Sequence, residues 1–468
     1  MAELRADRAA LNWATSGAMI AVMLFELSAR SFGSEILQIC GWVAMGFVIL
    51  LAVPRFGARE AYLLTVCAGL CGAIWLHEGF SISLIARALN QATFLMSFIL
   101  LLSLLYEAAV TSPSVEALGK TLTRQPPGRR YYALNSGTAA LSILFNLGVV
   151  SFIVPLIQRG IETSTPGDPL NPLRERRQIS ALLRGFAWMV IWSPTALAPL
   201  ALMELIPGID RQRWMLIGFA LSLVMMVLGG LEDRLRHRRY VGQAARLTSV
   251  FPLRAAAYFA AACGWLLGLS VIMMRLTGDT LVFGLLLSIP VMLIGWLIVQ
   301  ARAKGGAPLT TRLRGIARLS LPLSGPIAVT LATSGFIGQA AAGLIPAQAL
   351  AQALGLSQMP DVVLLSLIPI VIALLSLLAL SPIMMAVFFG ALFGALPVLP
   401  ADPTLLALSI SCGWALSMTF SPFSTVVLMV GRAAGIAPLR LTWGWNLLFT
   451  LLTLPVLVLA FGFLTGWR

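Results

Sequence analysis

Two short stretches set hydroxyl groups beside a proline in otherwise apolar surroundings. The first is Trp192-Ser193-Pro194-Thr195 and the second is Phe420-Ser421-Pro422-Phe423-Ser424-Thr425. Proline removes one backbone donor and clashes with the preceding turn, so each stretch should break a helix. A break leaves free N–H groups and a positive dipole end on one half-helix, and free carbonyls on the other. Such ends hold anions and hard cations, and nearby hydroxyl oxygens add ligands. The chemistry expected here is the binding of a small solute or ion. Ser417 and Thr419, just before the second break, offer further hydroxyls.

The two stretches repeat one another. Gly185-Phe186-Ala187 leads the first and Gly413-Trp414-Ala415 the second, so that Gly precedes Ser by the same interval in both. Downstream, Gly208-Ile209 with Arg213 answers Gly435-Ile436 with Arg440. The period is far too long for a solenoid. Duplicated halves interrupted at matching Gly and Pro positions are how secondary transporters are built.

Composition places these breaks in a membrane. Of 468 residues, 59% are hydrophobic and 11% charged, against about 25% charged in soluble chains. The net charge of +14 sits mostly in short loops, where it sets orientation, so no nucleic-acid partner is expected. Cys40, Cys67, Cys71, Cys263 and Cys412 all lie in apolar segments and read as small buried side chains. With only His77 and His237 in the chain, no metal site is expected. Phosphate-binding loops and Ser-His-Asp sets are also missing, so the chain is not read as an enzyme, His77-Glu78 being the one weak hint of enzymatic chemistry. His237, inside a basic run, reads as a solvated loop residue.

A span needs about 20 apolar residues. Met1–Arg8 reads as a short cytoplasmic tail. Candidate spans follow at 11–27, 36–53, 61–76 and 92–109, with 81–90 as an interfacial amphipathic segment. The stretch 133–157 lies between two basic loops, 111–132 and 158–177. Both are expected in the cytoplasm, so the stretch should leave and return on one side, as a re-entrant hairpin with its turn at Phe145-Asn146-Leu147-Gly148, the alternative being one ordinary span with a misassigned loop. Each arm is expected to run about 12 residues, or about 18 Å, reaching the midplane. Broken span 179–205 and spans 214–231, 253–274, 281–300 and 319–344 come next. The stretch 362–399, broken at Ser381-Pro382 and flanked by loops without Lys or Arg, reads as a second hairpin from the opposite side. Broken span 405–430 and span 443–464 complete the chain.

The fold class expected is therefore all-α: a polytopic membrane protein with about 11 transmembrane helices, two re-entrant hairpins and an inverted-topology repeat. It divides into scaffold spans (1–91), a first repeat core (92–252), further scaffold spans (253–318) and a second repeat core (319–468). The expected location is a bacterial inner membrane, with the N-terminus cytoplasmic and the C-terminus periplasmic.

Charged residues inside spans are functional candidates by default. Arg184, shortly before the first break, either neutralises an anion or snorkels at the end of its span, and snorkelling is the favoured reading. Glu107 and Glu204, near span ends, are candidates to carry a coupling proton or are solvated at the interface.

The order span, hairpin, broken span, span, repeated upside down, resembles the ion transporter superfamily. That group includes divalent anion/sodium symporters, citrate–metal symporters and arsenite-pump membrane subunits. The resemblance runs from about Ala92 to the C-terminus. It also rests on Ser-Pro-Phe-Ser-Thr-Val-Val at 421–427 followed by Gly-Ile-Ala-Pro at 435–438, with Ser193-Pro194-Thr195 as the first-half counterpart. It implies a homodimer whose mobile transport domain moves as an elevator against a scaffold. The Ser-Asn-Thr signature of the divalent anion symporters is absent, and Asn146 and Ser381-Pro382 stand at the corresponding tips. The reading is a secondary transporter of a small anionic solute, with no cofactor, and with Na⁺ or H⁺ as the coupling ion. A membrane-embedded enzyme or subunit of an envelope polymer export system, and a passive channel, remain the alternatives.

Overall fold

The structure is a computed structural model describing residues 2–78, 81–240, 251–302 and 308–467, without the side chains of 2–9, 77, 78, 127 and 240. Met1, the side chains of the other residues of the expected N-terminal tail, those of His77 and Glu78, and Arg246 and Lys304 fall outside the described set, and the tail's described backbone is the start of the helix Ala2–Phe32. Among the described residues all regular structure is helical, and eleven helices are long and apolar enough to cross a membrane. The number agrees with expectation but the membership differs. Asp361–Leu378, an arm of the second hairpin, is one of the eleven, whereas the first broken helix is not, because its pieces are short or charged.

Two compact units are formed, one by Met1–Ser112 with Tyr258–Leu344 and the other by Pro113–Ala257 with Ile345–Arg468. The units change over at Ser112, Ala257 and Leu344. The helices Ile82–Val110 and Gly325–Leu344 therefore lie in the first unit, where they pack along one another.

In the first unit the helices Ala2–Phe32 and Glu35–Ala52 form an antiparallel pair. The expected interfacial segment at 81–90 is instead the start of one continuous helix, Ile82–Val110. The sequence there has no Gly or Pro to end a helix, and Trp42 Nε1 donates to Asn90 Oδ1 at 2.9 Å, fixing that end against its neighbour. Arg30 forks onto Asp279 in the turn between Leu253–Thr277 and Leu281–Arg302, with Nε 2.8 Å from Oδ2 and Nη2 3.0 Å from Oδ1. The hydrogen bonds from Arg30 hold the Asp279 carboxyl below the usual carboxylate range.

The second unit contains both hairpins and both breaks. The first hairpin is Pro127–Phe145 and Gly148–Ser164, joined at Asn146-Leu147. Its arms, of 19 and 17 residues, are longer than expected. Helix continues past the apolar core into Gly128-Arg129-Arg130 on one arm and Gln158–Ser164 on the other. The first broken helix runs Asn171–Met189, opens over 190–196, and resumes as Leu197–Leu205. The second hairpin is Asp361–Leu375 and Pro382–Gly394, with a single helical turn and Ala379 between them. The second broken helix is Pro403–Phe420, then Ser421–Ser424, then Thr425–Ala434.

The packing within this unit is reciprocal. The first arm of each hairpin lies along the N-terminal half of its own broken helix. The second arm of each lies against the C-terminal half of the other broken helix, Gly148–Ser164 on Thr425–Ala434 and Pro382–Gly394 on Leu197–Leu205. The two N-terminal halves also pack on each other.

The repeated glycines sit where helix meets hairpin. A Cβ on Gly185 would overlap the Asn135 carbonyl of the first hairpin, and one on Gly413 would stand 2.8 Å from Ile372 Cβ of the second. Gly208 and Gly435, the downstream pair, both take positive φ, +81° and +69°, where a β-carbon is disfavoured.

Candidate solute site

Each break is tied to the tip of its own hairpin by one hydroxyl. Thr195 Oγ1 donates to the Ile143 carbonyl at 2.7 Å, and Ser421 Oγ donates to the Ser376 carbonyl at 2.7 Å. Both carbonyls end the first arm of a hairpin, where the helical ladder leaves them without an intrahelical partner. The first latch is reinforced by Asn146 Nδ2, 3.5 Å from the Thr195 carbonyl, and by Ser193 Oγ, 3.2 Å from Thr195 Oγ1.

The tips themselves are held in unusual backbone geometry. Asn146 (φ 45°) and Ala379 (φ 60°) are the positive-φ non-glycine residues at the two hairpin turns. Such conformations cost of order 1–3 kcal/mol each, and persist only where surrounding structure over-determines them. Asn146 is buried, as are Ser193, Thr195, Ser381, Pro382, Ser421 and Ser424. The first break is therefore shielded by protein, as broken backbone in an apolar membrane requires, whereas Leu378 and Phe423 leave the second more open.

At the second break Ser421 Oγ also accepts from the Phe423 N–H at 3.3 Å. Ser424 holds the N-cap position of Thr425–Ala434 with extended backbone but makes no capping bond. Its hydroxyl oxygen is buried and bonds no described residue. Ser381 likewise caps Pro382–Gly394 without a side-chain cap. Thr425 is the first residue of its half-helix and is partly buried, and Pro194 and Pro422 lie in the two openings.

Two expected hydroxyls point elsewhere. Ser417 Oγ bonds back to the Gly413 carbonyl at 2.8 Å. Thr419 Oγ1 bonds the Leu416 carbonyl at 3.2 Å and accepts from Thr450 Oγ1 at 2.8 Å, joining its helix to Leu447–Thr465. In-helix back-bonding of this kind is ordinary for Ser and Thr. Glu204 is exposed on Leu197–Leu205, and Glu107, on Ile82–Val110 in the other unit, is partly buried.

Arg184 does not snorkel. It is 2% exposed, with Nη1 2.9 Å from Glu232 Oε2 and Nε 2.8 Å from Asn446 Oδ1, and its guanidinium carbon is 4.3 Å from the Phe449 ring centroid. Snorkelling needs a route to water, and here Glu232, Asn446 and Phe449 close it. Glu232 also takes Arg236 at 3.1 Å, and its neighbour Asp233 takes Arg177 at 2.8 Å. His237 is not solvated either: it is buried at the end of Arg211–Arg236, with Nδ1 3.3 Å from Asp233 Oδ1. This cluster binds the first broken helix to its following helix. Sequence reasoning missed Glu232 and Asp233, although two adjacent carboxylates facing a basic run were a legible signal. Asn446 was not legible, because it ends a π-helical segment, Arg440–Asn446, whose wider turn re-aims side chains.

The loop entering the first broken helix is ordered by Asp168. Leu170 N–H donates to Oδ1 at 2.9 Å and Arg174 lies 2.7 Å from Oδ2. The backbone bond and then Arg174 hold that carboxyl below its usual range.

No family model matches the chain, and no curated protein matches it. Among solved structures, it is similar to the crystal structure of the Alcanivorax borkumensis YdaH transporter, which is described as revealing an unusual topology. The similarity has a TM-score of 0.57 and covers 88% of this chain and 98% of that one, at 16% identity. At that identity the likeness is one of fold. The chain has an all-helical, polytopic membrane fold of the kind seen in that transporter.

Proposed function

We propose that the chain is a secondary transporter, and that its solute binds between the two helix breaks and hairpin tips of the second unit. The observation that carries this reading is Ser424: a buried hydroxyl at the N-terminus of a ten-residue half-helix, neither capping that helix nor bonding another residue. A buried polar group without a partner costs about 1–3 kcal/mol, and a solute hydrogen-bonded there removes that cost. The adjacent half-helix end presents free N–H groups and a positive dipole, which favour an anion. The solute is thus a small anion, and Asn146, Ser193, Thr195, Ser381, Ser421, Ser424 and Thr425 are its candidate contacts or supports. Na⁺ or H⁺ is the coupling ion.

The second unit would be the moving part of an elevator. Its hairpins act as the re-entrant gates, and the protein works as a homodimer in a bacterial inner membrane. The fold likeness to a transporter supports transport over an enzymatic role.

The test is uptake into proteoliposomes under an imposed Na⁺ or H⁺ gradient, across a panel of carboxylates, oxyanions and sulfonates. Gradient-dependent accumulation of one class is the expected result. Equal, gradient-independent fluxes would indicate a passive channel, and turnover of a lipid-linked substrate without accumulation an enzyme.

A further inference from the structure

A small cavity opens beside the first break. Its lining includes Trp192, Ser193, Pro194, Met203, Arg211 and Trp214. At about 10 Å³ it has room for roughly one water. Arg211 is the one charged residue among its lining residues.

Arg211 is the first residue of the helix Arg211–Arg236, and Arg213 follows it in the same first turn. Arg213 is accounted for by Asp402, 2.7 Å away. Arg211 has no such account: it is partly buried, and makes no ion pair or hydrogen bond with any described residue. The neighbouring Asp210 carboxylate caps the helix instead, accepting from Arg213 N–H at 3.0 Å.

The position of Arg211 relative to the break is fixed by packing. Trp214 Nε1 donates to the Ile191 carbonyl at 2.9 Å. One turn on, a Cβ on Gly218 would overlap that same carbonyl, so the helix runs in contact with the broken backbone. A guanidinium held at the wall of a low-dielectric cleft raises the local concentration of anions. Its planar fork matches a carboxylate or oxyanion with two parallel hydrogen bonds.

We propose that Arg211 is the cation that draws a carboxylate- or oxyanion-bearing solute to the opening of the cavity beside the first break. The proposal rests on the transporter reading above and adds the residue that selects charge. The same guanidinium chemistry would serve a lipid phosphate if the side chain pointed away from the cavity, and the experiment separates the two.

The experiment replaces the five native cysteines, installs Met203→Cys on the cavity wall, and solubilises the full chain in neutral detergent. Rates of modification by an anionic and a cationic methanethiosulfonate are then compared. Met215→Cys, on the same cavity, is the second reporter should the first variant fail to fold. Removing one charge several ångströms from the reacting thiol should lower the anionic-to-cationic rate ratio about tenfold in Arg211→Gln. Arg211→Lys should keep the ratio within about threefold, because it keeps the charge.

An unchanged ratio in Arg211→Gln would overturn the proposal and place the guanidinium outside the cavity, toward lipid. Lack of modification by either reagent in the folded protein, with rapid modification after denaturation, would also overturn it, because the cavity would then be sealed. The assay needs no transported solute. A positive result with no gradient-driven uptake would therefore uphold Arg211 as an anion-attracting residue and count against the transporter reading alone.

Discussion

Thr195 Oγ1 donates to the Ile143 carbonyl at 2.7 Å, and this one bond joins the first helix break to the turn of its hairpin. Ser421 Oγ makes the matching bond to the Ser376 carbonyl in the second half. Each tip and each break is otherwise an irregular stretch of backbone, largely buried in the first half and more open in the second, where Leu378 and Phe423 are exposed. The hydroxyl converts two such stretches into one unit, with a carbonyl satisfied on one side and a helix end left open on the other.

Removing the donor while keeping the shape isolates this role. Thr195→Val should lower unfolding stability by about 0.5–1.5 kcal/mol, because the part-buried Ile143 carbonyl loses its partner. Thr195→Ser should recover most of it. Chemical unfolding in detergent checks the order of the three proteins. A valine variant as stable as the parent would mean that the tip carbonyl finds another donor.

The buried Arg184–Glu232 pair makes a sharper prediction. Either single replacement by leucine should cost about 3–5 kcal/mol, because it strands the partner charge in the interior. The double replacement should be milder than the sum of the singles, since no charge of the pair is stranded. A double-mutant cycle on unfolding free energies reads the coupling. Additive singles would show that the two groups are solvated separately.

The glycine repeat predicts an asymmetry. Gly185→Ala drives a methyl into main chain at Asn135, whereas Gly413→Ala meets the Ile372 side chain at 2.8 Å. Backbone yields less than a side chain, so the first substitution should destabilise more, by about 1–3 kcal/mol against a smaller loss for the second. Melting temperatures of the two variants give the comparison.

Asp279 gives the first unit a pH signature. Arg30 lowers its folded-state pKa, so its contribution is fully present above the unfolded value of about 3.9 and is lost as pH falls through the lower folded value. Between pH 5 and 3 the wild type should lose more stability than Asp279→Asn. Parallel pH profiles for the two would show that the fork contributes nothing in solution.

Much of this architecture was legible in the sequence because turn and break chemistry is local. Pro194, Pro422 and the Phe145–Gly148 and Ser381-Pro382 stretches mark interruptions that the structure places within a few residues of expectation. What was not legible depends on partners far apart in the chain. Arg184 read alone looks like a snorkelling residue, and only Glu232 and Asn446, 48 and 262 positions away, make it a buried ion pair. Ser421 and Ser417 look alike in sequence, yet one reaches the hairpin tip and the other bonds its own helix. Helix ends were misjudged where polar residues, such as Arg129 and Arg130, extend an apolar helix beyond its hydrophobic stretch.

The central claim is that the two breaks together hold one solute. The most direct measurement is ligand-dependent thermal stabilisation of the purified protein, in Na⁺ against K⁺, over the carboxylate, oxyanion and sulfonate panel. Binding to the folded state raises apparent stability by mass action. The account predicts that one anion class shifts the melting temperature of the wild type, and that Ser193→Ala and Ser424→Ala each abolish or sharply reduce the shift while folding normally. A shift that survives intact in both variants would place the solute elsewhere and contradict the site.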